Sequence, residues 1–285
     1  MPKRKQEKSR EDEEEEEGSE TDTQNRIQVD FEFFDPNPDI DFVALKRLIT
    51  QLFQSDADLL KPHDLAELIL SQPLVGTTVK TDGRESDPYA FLTVLNMHIH
   101  KDNPAIKAIA QYALSKSTAD PSLHNTLRSI LESETSSHLG FIFSERLVNM
   151  PVEVIPHMYR MLADEIQWAC DDSEPYHFSH FLVLSRTYTL SDEEAEAGLS
   201  FPQQPKRRKG APTPSNAGGI FTFHHEDQCI QQVASHSLNY SLSNALPREN
   251  ESFGLEQGGR LMLFPAVELP QLVLNLMATF PQPSQ

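Results

Sequence analysis

At 285 residues and 32.2 kDa the chain is long enough for one large domain or two small ones. Its 43 acidic against 24 basic residues leave a formal net charge of -19, which argues against direct nucleic-acid binding by the body, because phosphate contacts need clustered Lys and Arg. A basic protein partner fits that balance better. Two cysteines, Cys170 and Cys229, exclude a disulfide framework and any C-x-x-C zinc or redox motif, so a reducing compartment is expected. No run approaches the roughly 18 apolar residues of a membrane span, and the opening MPKRKQEKSREDEEEEE lacks the apolar core of a signal peptide. The expectation is a soluble intracellular protein.

Residues 1–26 set the basic cluster Lys3-Arg4-Lys5 beside seven consecutive acids, Glu11 to Glu17, and predict a disordered acidic tail. Ile27 to Phe33 alternates apolar and polar residues, which predicts a strand closed by the turn residues Asp35-Pro36-Asn37-Pro38. Asp39 or Asp41 is then placed to cap a helix with Phe42, Leu45, Leu48, Ile49 and Leu52 on one face. Another helix is predicted from Pro62 to Leu70, followed by strands at Thr77 to Thr81 and Ala90 to Ile99. Helices near Pro104 to Leu114 and Pro121 to Leu131 lead to a strand from His138 to Leu147.

After Pro151 an apolar stripe at Ile155, Tyr159, Leu162, Ile166 and Ala169 predicts a further helix. Phe178 to Leu190 has the continuous apolar centre Phe181-Leu182-Val183-Leu184 and is expected to be a central strand covered on both faces. Residues 191–217, rich in Pro, Gly and small side chains, read as a flexible linker. Beyond it, Ile220 to Phe223 and Arg260 to Phe264 read as strands, with a less defined segment through Leu242 and a closing helix from Leu269 to Phe280. The expected architecture is an acidic tail (1–26) and a single α/β or α+β domain (27–285) interrupted by the linker, with about six or seven strands. The body has its own negative field, since residues 27–190 hold 12 basic and 23 acidic residues, a net charge of -11.

Eleven glycines contain no G-x-G, no P-loop and no G-x-S-x-G, which sets aside Rossmann and kinase nucleotide use and a nucleophile elbow. Histidines gather at His98-Ile99-His100, at His177 to His180 and at His224-His225-Glu226-Asp227. On a strand His98 and His100 would share a face that a metal could use, but no second ligand pair has recognisable spacing, and His225-Glu226-x-x-Cys229 misses H-E-x-x-H at its last residue. No metal or cofactor is expected. Cys170 reads as a packing thiol over a nucleophile, Trp168 with Met150, Met158 and Met161 as core over a binding groove, and Asp171-Asp172 with Glu174 as a solvated helix end over a paired-carboxylate site. Lys206-Arg207-Arg208-Lys209 stands apart as a basic run within the linker, the kind that a nuclear import receptor grips. The plainer alternative is a solvated charge run.

The segments VDFEFFDPNPDIDFVALKRLITQLF (Val29 to Phe53), SERLVNMPVEVIPHMYRMLADEIQ (Ser144 to Gln167) and FSHFLVLSRTYTL (Phe178 to Leu190), followed by a basic linker, resemble the BCCIP family and its fungal members across roughly residues 27 to 280. That resemblance implies a fold like the Gcn5-related acetyltransferases without their cofactor use, with a mixed twisted sheet flanked by helices. It also implies a nuclear location with shuttling to the cytoplasm, and roles in ribosome assembly and nuclear export. The clients implied are a large-subunit ribosomal protein and, as export cargo, a phosphoinositide kinase. The residues agree on the cofactor: the acetyltransferase loop [QR]-x-x-G-x-[GA] has no counterpart in Ser144 to Met150, and Pro151 removes a backbone donor. The function expected is therefore a non-enzymatic chaperone or export adaptor for a basic client, with a divergent acyltransferase as the alternative. Glu145, Asp164, Glu165, Asp171 and Asp172 are the candidate client surface.

Overall fold

A computed structural model describes residues 30–72, 74–134, 138–189, 219–245 and 256–281. The acidic tail (1–26), the linker (191–217) and the basic run Lys206, Arg207, Arg208 and Lys209 lie outside the described residues.

Among the described residues eight strands form one sheet, β1 (Glu32–Phe34), β2 (Thr77–Lys80), β3 (Ala90–Asn96), β4 (His138–Arg146), β5 (Phe178–Thr189), β6 (Ile220–Thr222), β7 (His236–Ser241) and β8 (Glu256–Pro265). Their order is β1-β2-β3-β4-β5-β8-β7, with β6 also paired to β5. Every pairing is antiparallel except β4 with β5. The sheet is thus mixed and mostly antiparallel, with β5 central as its unbroken apolar run predicted. Of the predicted strand, Ile27 to Val29 lie outside the described residues, Asp30 and Phe31 are unpaired with β2, and β1 starts at Glu32.

Two layers of helices cover the sheet. On one face α1 (Phe42–Phe53), α2 (Pro62–Leu70), α3 (Pro104–Lys116) and α4 (Pro121–Leu131) pack on Phe91, Leu95, Phe141, Phe143, Leu182 and Leu184. On the other, α5 (Ile155–Asp171), α6 (Asp227–Val233) and α7 (Leu269–Thr279) pack on Leu92, Val94, Ile142, Phe181, Val183 and Phe264. The two lists alternate along each strand, as period-two side-chain direction demands. At Gly140 on β4 a Cβ would lie 2.8 Å from the Phe181 ring, so glycine is what allows that ring to cross the strand.

Two expectations are corrected here. Asp41 sits at the N-cap of α1 but makes no side-chain cap bond; its carboxylate accepts from the Asn37 N–H at 2.8 Å and pairs with Lys80 Nζ at 2.6 Å, both side chains fully buried. A buried ammonium needs a counter-charge more than a helix end in contact with water needs a cap. Trp168, read as core, is 64% exposed, because it lies one position off the inward stripe of α5. Met150 and Met158 are buried as expected, and Met161 is half-buried.

Candidate functional site

β4 and β5 run parallel only as far as Ile142 and Val183. Beyond that point β4 continues beside β3 to Arg146, while β5 takes β6 as its partner over Thr187 to Thr189. The strands part, and the space between them holds the densest group of buried charges among the described residues. Glu145 and Arg146, adjacent on β4, point to opposite faces of the sheet, and the segment His224 to Asp227 reaches both.

On the face covered by α1, Glu145 is 1% exposed and is held from three sides. Arg186 Nη2 donates to its Oε1 at 2.8 Å, His224 Nε2 lies at 2.9 Å from the same oxygen, and Gln51 Nε2 donates to it at 2.6 Å. Gln51 also donates to the Arg146 carbonyl at 2.9 Å, satisfying an acceptor that the departure of β5 leaves without a strand partner. The Arg186 guanidinium lies over the Phe223 ring, 4.6 Å from its centroid. On the opposite face Arg146, 2% exposed, makes a bidentate pair with Glu226, both contacts 3.0 Å, and donates to the Met150 carbonyl at 2.8 Å.

The electrostatics follow from this packing. Burial alone would raise the Glu145 carboxyl, but His224 and Arg186 outweigh it and hold it below the ordinary range. Burial likewise opposes the ionisation of Glu226, and Arg146 and His224 bring it down to about 2. Asp227 makes no ion pair within 4.0 Å among the described residues: burial pushes it up to about 7, with neighbouring Glu226 adding to the rise against the pull of His224 and Arg260. Its Oδ2, the Ser185 and Tyr159 hydroxyls and His224 Nδ1 are buried without a hydrogen-bond partner. Tyr159, beside Glu226 and Asp227, is raised as well. Glu145 is locked as an anion by two neighbours, which leaves it no poise as a general base near neutral pH.

Of the residues singled out in the sequence, Glu145 is therefore removed from any client surface. Glu165 is removed too: it is 9% exposed and accepts from the Gly76 N–H at 2.9 Å and Thr77 Oγ1 at 3.3 Å, because it falls on the inward side of α5. Asp164, Asp171 and Asp172 are exposed on α5 or at its end. His98 and His100 do not share a strand face, since β3 ends at Asn96 and both lie in the turn that follows; the His98 ring instead stacks on His138 at 4.9 Å. Sequence reasoning missed Gln51, Arg146 and Arg186, and met His224, Glu226 and Asp227 only within a group weighed for metal binding. The available signal was charge placed inside strand patterns, in FSERL and VLSRTYT.

Residues 26–230 match the protein family described as BCCIP. Protein bcp1 of Aspergillus fumigatus is 42% identical over 258 residues, spanning 88% of this chain and 86% of that protein. Protein bcp1 of Schizosaccharomyces pombe is 42% identical over 260 residues, spanning 89% and 90%. The crystal structure of BCP1 from Saccharomyces cerevisiae aligns with a TM-score of 0.61 at 25% identity and covers 93% of each chain.

Proposed function

The chain belongs to the BCCIP family, and from that premise we propose that it works without catalysis, as a nuclear chaperone or export adaptor whose acidic body covers a basic client. A large-subunit ribosomal protein, which carries positive surface meant for RNA, is the client class that fits. On this reading a phosphoinositide kinase is a further export cargo, and Lys206 to Lys209 bring the protein to the nucleus.

The observation that supports a non-enzymatic role is the filled gap between β4 and β5. In a Gcn5-related layout, acetyl-CoA would need open space there and backbone N–H groups at the start of the following helix to hold its pyrophosphate. Here the gap holds two sets of buried ion pairs. The connection from Glu145 to Pro151 has no glycine, and α5 begins with Pro156 in its first turn, a second lost donor. A divergent acyltransferase remains the second reading because the parting of two parallel strands beside a helix supports that layout.

Affinity for a purified large-subunit ribosomal protein, measured from 50 to about 500 mM salt, tests the first reading. Over that range the Debye length falls from roughly 14 Å to roughly 4 Å, so binding should weaken steeply. Salt-independent binding would overturn the electrostatic account. Calorimetry against acetyl-CoA should show no saturable heat; a saturable one would favour the acyltransferase.

A further inference from the structure

We propose that the outer face of the C-terminal half of α5 is a docking surface for an arginine-rich protein segment, with Trp168 as its aromatic anchor. The inference rests on the reading above that the partner is basic, and it names the surface and the chemistry.

Trp168 is the chain's sole tryptophan, and it is 64% exposed on a helix that buries Ile155, Met158, Tyr159, Leu162 and Ala169 inward. Tryptophan with this much free ring is a strong anchor for a partner, and a stronger one for a cation, which its ring face attracts. Asp164, Asp171 and Asp172 stand four before, three after and four after it, the spacings that bring side chains together on one helical face. All three are exposed, and among the described residues none makes an ion pair within 4.0 Å. Among the described residues Asp171 accepts from the neutral Gln167 alone, at 2.9 Å.

The position of these acids is the second observation. α5 has 17 residues, no basic residue in its last turn, and two aspartates at its C-terminal end, with Glu174 just beyond. The carbonyls of Trp168, Ala169 and Cys170 accept from the Asp172, Glu174 and Ser173 N–H groups, and this end of the helix dipole still carries partial negative charge that favours Lys or Arg. The chain holds like charge against a dipole end, beside an exposed aromatic ring, and among the described residues no cation pairs with these acids. An arginine-rich segment would meet all three features: guanidinium planes stack on the indole and pair with the carboxylates. A lysine-rich segment offers the charge without the planar stacking, so arginine is the better fit.

The test uses the full-length protein and a nine-arginine peptide. Because Trp168 is the only tryptophan, its fluorescence reports on this face directly. Saturable quenching or a blue shift that salt reverses is the expected result. In peptide-anisotropy titrations, Trp168→Ala and the double variant Asp171→Lys/Asp172→Lys should each lose at least tenfold in affinity. Asp58→Lys/Glu67→Lys, an equal charge change on the opposite helical layer, should lose less than threefold. The aspartate reversal should also melt no lower than wild type, since it removes like charge from a helix end. If wild type binds the peptide and all variants bind equally, the face is wrong while the basic-partner reading stands. If wild type binds neither the peptide nor a basic ribosomal protein, both fall.

Discussion

Replacing Asp227 by Asn isolates the one carboxyl of the cluster formed with Glu145 and Glu226 that lacks a direct ion pair among the described residues. In the fold its pKa is pushed from 3.8 up to about 7, chiefly by burial, so the folded protein holds a proton that the unfolded chain has released. A raised carboxyl contributes full stability only below its unfolded value, and the contribution is lost as pH climbs through the folded one. The window is therefore about pH 4 to 7. A rise of about three pK units corresponds to roughly 4 kcal/mol as an upper bound. Glu145 and Glu226 shift the other way; their contribution is complete above the ordinary glutamate value and lost only as pH falls below it, so their window lies lower. Asn keeps the shape and does not titrate. Urea unfolding of both proteins at pH 4.5, 6 and 8 should give a difference curve that climbs with pH, the variant being more stable at pH 8 by about 2–4 kcal/mol. Titration of histidines remote from Asp227 cancels in that difference. A flat difference curve, or a variant weaker than wild type at pH 8, would refute the assignment of the unbalanced charge to Asp227.

Two other changes test neighbouring parts of the reasoning. Arg146→Met strands Glu226 in the interior and should cost about 3–5 kcal/mol in denaturant unfolding, whereas Arg146→Met with Glu226→Met should recover most of that loss; a double variant as weak as the single would mean the pair is not the issue. Gln54 ends α1 at φ 51, ψ -124, with both atoms of its side-chain amide buried and unpartnered. Gln54→Gly should therefore raise stability by about 1 kcal/mol in thermal unfolding, and a loss would show that the residue is not strained.

Regular elements were legible in the sequence because their periodicity is a direct image of burial. Pro62 and Leu70 bound α2 in the structure as predicted, and β5 is central because Phe181 to Leu184 could only be covered on both sides. α6 was not legible: it is seven residues long, and its sequence DQCIQQV buries only Asp227, Cys229 and Ile230. Such a helix is fixed by what it packs against, not by its own pattern. The buried charges were hidden for a related reason. Glu145 looks like any surface glutamate until Arg186 and His224, 41 and 79 positions away, are brought to it. Trp168 was the opposite case, since the stripe through Ile166 and Ala169 already left it outside; its aromatic character outweighed its position.

The parting of β4 and β5 also fixes when this fold can close. Glu145 and Arg146 leave the ribosome about 80 residues before His224 and Glu226, the side chains that meet them. Until then an N-terminal fragment has a half-built sheet, since β5 still lacks β8 along its whole length. The Arg146 guanidinium has to stay hydrated until Glu226 arrives, and its water is shed only when that later segment docks. Pairings this distant in sequence make folding slow and leave the partial product open to aggregation. A chain truncated before residue 224 should therefore behave as an unfinished protein and not as a smaller domain.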